Sequence, residues 1–243
     1  MLERLIDHAA LFPPASMSLP EALAEDRRAR ESRHAALLNR FVVPAARLAE
    51  LPADRPPLSV VLSGRDAAKV VAGAGGVEAV ELVLDGPRPK PADLVAVYRA
   101  LQPLGVETYF ELVLDETWRD SVPAAIGAVA AIGGRVKLRC GGASIPSVEQ
   151  VALVIACCRE AGVPFKATAG LHHPVRHGDE HGFLNLLAAT ATAAPPARLG
   201  AVLAEEDPTA IDFVRGDRSL FTSFGSCSWR EPVDDLRELG LLS

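Results

Sequence analysis

Two of the chain's four lysines interrupt short apolar segments. They are Lys137 in Arg135-Val-Lys-Leu-Arg-Cys-Gly-Gly142 and Lys166 in Pro164-Phe-Lys-Ala-Thr-Ala-Gly170, in a sequence that carries twenty-one arginines. A guanidinium keeps its proton everywhere, whereas a buried ammonium gives its proton up and then serves as base or nucleophile. A lysine kept in an apolar strand, where arginine is otherwise the rule, therefore marks a place for amine chemistry, or for a buried ion pair. Alternation along a strand puts Lys137 and Arg139 on one face and Lys166 and Thr168 on one face of the next. Three cations aimed at one low-dielectric interior need carboxylates beside them, or a neutral lysine.

The carboxylates are at hand. Glu111 interrupts Tyr109-Phe-Glu-Leu-Val-Leu-Asp115, and Glu81 does the same in Val80-Glu-Leu-Val-Leu-Asp85. Glu111 is expected to pair with a lysine. Asp85 and Asp115 stand at strand ends, where helix capping is the expected role. Asp7 and His8 end the first apolar segment and can reach the same mouth, or make a local turn.

Four of the six histidines fall in Leu171-His-His-Pro-Val-Arg-His-Gly-Asp-Glu-His181. His172 continues the inward parity of Lys166 and Thr168, which suits a proton shuttle near neutral pH. His173 is a substrate-binding candidate, and His177 and His181 are expected in a solvated loop. His172 and His173 with a carboxylate such as Glu111 could instead serve a metal-dependent hydrolase or lyase. However, the loop has no His-x-His or His-Glu-x-x-His spacing, and no metal ligand is assigned. Near the other end, Gly225 and Ser226 in Phe221-Thr-Ser-Phe-Gly-Ser-Cys-Ser-Trp229 form a turn whose N–H and hydroxyl groups suit an anion.

The elements that must position these groups alternate. Apolar strand-length segments at 4–7, 40–44, 58–63, 79–85, 108–114, 135–140, 164–169 and 220–227 are separated by helical stretches. The helical stretches are 20–38, 67–72, 92–101, 121–132, 147–161, 183–193 and 232–239. Strands alternating with helices imply parallel pairing, and eight such units in 243 residues predict one α/β domain spanning 1–243, a (β/α)8 TIM barrel. Gly75-Gly76, Gly105, Gly133-Gly134 and Gly162 punctuate helix ends. An open doubly wound sheet is the alternative. In a barrel the chemistry sits at the carboxyl ends of the strands, which is where Lys137, Lys166 and the histidine loop fall.

Lys166-Ala-Thr-Ala-Gly170, with Lys137 one strand earlier, resembles the paired-lysine arrangement of deoxyribose-phosphate aldolases and related class I aldolases. The resemblance covers two strands of the eight. It implies a (β/α)8 barrel in which Lys137 forms the Schiff base, Lys166 lowers its pKa and Thr168 supplies a hydroxyl. The Gly-Gly-hydrophobic-Arg phosphate motif of that family is missing between Gly170 and Gly225, and the histidine loop is foreign to it. Val136-Lys-Leu-Arg-Cys-Gly-Gly142 with Arg159-Glu-Ala-Gly-Val-Pro164 is also similar to the sixth and seventh units of enolase-superfamily barrels.

Composition narrows the classes. A net charge of −6 and a pI of about 5.6 leave no basic stripe for nucleic acid. No apolar run reaches the roughly 18 residues of a membrane helix. The start of the chain lacks a signal-peptide core, and the cysteines make no Cys-x-x-Cys pair, so a reducing cytoplasm is expected. The expected function is a lyase acting on a small anionic carbonyl compound, with Lys137, Lys166, Glu111 and His172 catalytic. Arg139, Thr168, His173, Gly225, Ser226 and Asp7 would bind substrate, and no cofactor is required. A non-catalytic barrel that binds an anionic metabolite is the third reading. The carboxyl-terminal Gly240-Leu-Leu-Ser243, read as exposed, could join two copies.

Overall fold

The computed structural model describes residues 2–63, 67–83, 90–192, 195–211 and 218–242. Eight parallel strands close into a barrel in sequence order. They are β1 (Ile6–His8), β2 (Leu38–Pro44), β3 (Leu58–Ser63), β4 (Val77–Val83), β5 (Glu107–Glu111), β6 (Arg135–Arg139), β7 (Phe165–Thr168) and β8 (Phe221–Ser226). Around them run α1 (Leu19–Arg30), α2 (Ala67–Val71), α3 (Pro91–Leu101), α4 (Trp118–Ile132), α5 (Val148–Ala161), α6 (Phe183–Ala191), α7 (Pro196–Ala204) and α8 (Arg230–Glu238). The chain is a (β/α)8 barrel, as the alternation of segments predicts.

The apolar core lies between sheet and helices. Leu138 and Cys140 on β6 and its end, with Phe165 and Ala167 on β7, are fully buried against that layer. Burial pushes the Cys140 thiol up to about 12, so it packs as a small apolar group. Local signals set the helix ends. Ser147 accepts from Gln150 N while the Gln150 side chain accepts from Ser147 N, a reciprocal cap that starts α5. Gly133 and Gly162 end α4 and α5 in the left-handed region.

Three expectations change. The first helix stops at Arg30, not at residue 38. Arg30 grips Asp26 and the Asn39 carbonyl, a turn follows, and Leu38 is drawn into the ladder opposite Ile6. Barrel closure overrides the local helical pattern. Second, α7 is not among the expected helical stretches, although it begins at Pro196 and a proline suits the first helical turn. Third, Leu241 and Leu242, expected to be exposed, are partly buried against the core. Among the described residues, no helix is long and apolar enough to cross a membrane.

Candidate active site

The barrel interior is polar where most barrels stack aliphatic side chains. Lys137 and Lys166 are direct register partners on β6 and β7, so parity alone brings their amines to one interior level. Lys166 is fully buried. Its Nζ lies 2.5 Å from Asp7 Oδ2 and 2.6 Å from Glu81 Oε1, and 5.5 Å from the Tyr109 ring centre. Lys137 Nζ lies 2.8 Å from Glu81 Oε2 and 3.0 Å from Glu111 Oε2. Glu81 therefore bridges the two amines, one carboxylate oxygen to each.

Asp7 and Glu81 are held from behind. Asp7 accepts from Ser223 Oγ at 2.7 Å, Asn39 Nδ2 at 2.8 Å and the Arg40 backbone N–H at 3.1 Å. Glu81 accepts from Ser59 Oγ at 2.7 Å. Among the described residues, Glu111 Oε2 has only the ion pair to Lys137 and no directed hydrogen bond. It is the least constrained carboxylate of the three.

The electrostatics separate the two lysines. Burial disfavours the charged form of Lys166, but Asp7 and Glu81 outweigh it and raise the Lys166 pKa above its ordinary value. Burial likewise opposes ionised Glu81, yet the two ammonium groups hold its carboxyl well below the usual carboxylate range. Of the two lysines, Lys166 is thus the one whose surroundings favour the ammonium over the neutral amine. Of the three cations expected to crowd the interior, Lys137 and Lys166 are balanced by Asp7, Glu81 and Glu111, and Arg139 lies exposed.

Above this cluster opens a cavity of about 650 Å³ at the carboxyl ends of the strands. Lys137, Glu81 and Glu111 reach its floor, whereas Lys166 lies outside its wall. Arg139, Thr168, His172 and the backbone of Gly225 line it. The Arg139 side chain is exposed, folds over Gly142, and makes no ion pair among the described residues. Thr168 Oγ1 is buried without a hydrogen-bond partner there.

Gly141 and Gly170 shape one wall. A Cβ on Gly141 would come within 2.7 Å of Gly170 Cα, so the loops after β6 and β7 touch backbone to backbone. Neighbouring Ala169 and Gly170 are both left-handed, at φ 61° and 66°, which turns the chain sharply toward His172.

Other expected site residues fall elsewhere. His173 turns from the cavity and lies 3.6 Å from Glu180, its ring 4.9 Å from that of His177. Consecutive side chains diverge, so only His172 of the pair lines the cavity. Ser226 lines the cavity but donates its hydroxyl to the Ser228 carbonyl, which takes that hydrogen from any ligand. His8 points outward and meets Asp26 of α1 at 3.2 Å. His181 is not solvated. It is buried, with Nε2 2.8 Å from the Pro146 carbonyl, and burial lowers its pKa despite that bond. Asp115 accepts from Thr117 N and Oγ1 in the turn ahead of α4, but the N-cap of that helix is Thr117, so Asp115 does not cap it as expected. Asp85 lies outside the described residues. No group of three or more His, Cys, Asp or Glu side chains among the described residues is arranged to hold a metal ion.

Sequence reasoning underrated Glu81, the hub of the cluster, and missed Asn39, Ser59 and Ser223. Ser59 stands alone among apolar neighbours in Leu58-Ser-Val-Val-Leu62, the signal that singled out Glu111, whereas Asn39 adjoins Arg40 and Ser223 follows Thr222.

Neither a scan of known protein families nor a search of curated proteins finds a match. Among solved structures, the barrel is similar to a deoxyribose phosphate aldolase from Aeropyrum pernix, described as having a unique tetrameric structure. The two are 14% identical, with a TM-score of 0.58 over 98% of this chain and 92% of the other. At that identity the likeness is one of fold.

Proposed function

We propose that the protein is an aldolase-like lyase acting on a small anionic carbonyl compound, with Lys137 as its amine nucleophile. The observation that carries this reading is the unequal placement of the two amines. Lys137 ends at the cavity floor, and Lys166 is sealed behind it between Asp7 and Glu81.

The proton arithmetic works within the site. Lys137 passes a proton to Glu111 Oε2, 3.0 Å away, which leaves a neutral amine and a carboxylic acid. The amine attacks the carbonyl carbon, and the C–N bond forms. The oxygen takes one proton from the amine nitrogen, giving a neutral carbinolamine, and a second from Glu111, and leaves as water, giving a protonated iminium and the Glu111 carboxylate. The iminium draws electrons from the adjacent carbon, which permits C–H or C–C cleavage there. Lys166 stays charged throughout. It fixes Glu81, and through Glu81 the position of Lys137. Arg139 holds the anionic group, Thr168 Oγ1 meets a substrate oxygen, and His172 exchanges protons with solvent at the mouth.

Iminium formation acidifies the α-carbon, so the test is solvent deuterium exchange into the α-position of pyruvate, followed by proton NMR. The wild type is expected to accelerate exchange, Lys137→Met to abolish it, and Glu111→Gln to slow it by about a hundredfold, as loss of a general acid–base does. Exchange that survives Lys137→Met contradicts the proposal.

A further inference from the structure

The cavity has two unlike walls. Arg139, Thr168 and the glycine loops form the side built by β6 to β8. The opposite side is hydrocarbon. Val42, Val61 and Val83 present one valine each from β2, β3 and β4, while Phe12 and Ile145 close over the rim. Val83 and Ile145 are 38% and 44% exposed, and they are two of the four large hydrophobics exposed among the described residues. Exposed apolar side chains concentrated at one cavity rim mark a place where apolar ligand surface is covered. The volume is also far more than a three-carbon acid fills, and lies in the range of sites for drug-sized ligands.

We infer that the substrate carries a branched aliphatic or aromatic group on one side of its carbonyl and an anionic group on the other. The anion meets Arg139, the hydrocarbon lies on Val42, Val61, Val83, Phe12 and Ile145, and the carbonyl is presented to Lys137 between them. A polyhydroxylated sugar phosphate is a poor fit, because its hydroxyls would face valines that return no hydrogen bond. This inference rests on Lys137 being the reacting amine, as proposed above.

The test separates the two. Intact protein is incubated with borohydride and pyruvate, 4-methyl-2-oxopentanoate, phenylpyruvate or 2-oxoglutarate. The mass gained at Lys137 is then followed against probe concentration. Each buried methylene is worth roughly a fourfold gain in affinity. The isobutyl and benzyl probes should therefore half-saturate at concentrations at least about tenfold below pyruvate, with 2-oxoglutarate no better than pyruvate. Val61→Asn should narrow that gap. Ile145→Asn, on an exposed loop where folding is not at stake, should narrow it too. Equal trapping of all four probes, or a preference for 2-oxoglutarate, overturns the inference and leaves the amine reading standing. So does an apolar preference that both variants leave intact. No adduct with any probe overturns the amine reading, and this inference with it.

Discussion

Replacing Lys166 by methionine isolates the buried half of the cluster. The side chain is 0% exposed and its two partners, Asp7 and Glu81, are 0% and 1% exposed. Methionine fills similar volume, so the loss is charge rather than packing. Removing one partner of a buried pair costs about 3–5 kcal/mol, because the remaining charge is stranded. Here Asp7 keeps Ser223, Asn39 and the Arg40 N–H, and Glu81 keeps Ser59 and Lys137, so a value of about 4 kcal/mol is expected. For a chain of this length that is a fall in Tm of roughly 8–16 °C. The assay is thermal and urea unfolding of wild type and variant from pH 6 to 9. The folded-state pKa of Lys166 is raised, so its contribution is complete below the unfolded value near 10.4 and is lost only as pH rises through the folded one. The deficit should therefore be constant across that window. Adding Asp7→Asn to Lys166→Met should recover part of it, since one stranded anion is then gone. A deficit below about 1 kcal/mol, or no recovery in the double variant, would refute the reasoning.

Other consequences follow from single residues. His181 is buried and its pKa is lowered, so its contribution is present above the unfolded value near 6.5 and is lost as pH falls toward the folded one. Unfolding titrations from pH 7 to 5 should show falling stability in the wild type, and a shallower fall in His181→Gln; parallel slopes would count against it. Gly141→Ala forces a Cβ to within 2.7 Å of the Gly170 backbone. It should cost about 1–3 kcal/mol as an overpacked site, read by urea unfolding, and should weaken ligand binding as the wall shifts. Arg139→Gln removes an exposed guanidinium without an ion pair among the described residues. It should leave the urea midpoint within error while raising the half-saturating concentration of 2-oxo acids at least about tenfold, as loss of a charge-assisted hydrogen bond does. A matched loss of stability would show that Arg139 is structural.

Much of the fold was legible because period-2 and helical patterning, with glycine stops, mark units whose order a barrel then dictates. The convergence of Lys137, Lys166 and Glu111 was legible for the same reason, since parity and strand adjacency are properties of sequence. The first helix was misread because its pattern runs on into residues that pair with β1, and only closure of the sheet decides between them. The role of Glu81 was underread. Its sequence context matches that of Glu111, and only the three-dimensional register shows which carboxylate lies between two amines. Buried His181 and the committed hydroxyl of Ser226 are products of loop packing, which no local pattern encodes. The apolar wall was invisible, because strand valines read alike whether they face helices or a cavity.

The proposed chemistry rests on Lys137 opening on the cavity while Lys166 is sealed between Asp7 and Glu81. Native reductive methylation with carbon-13 formaldehyde tests it, because all four lysines can be read in one peptide map. Lys90 lies at an exposed position and serves as the reference for free labelling. Label is expected at Lys137, entering more slowly than at Lys90, and not at Lys166 until the protein is unfolded. Labelling of Lys166 in the native protein, or protection of Lys137 equal to that of Lys166, would contradict it.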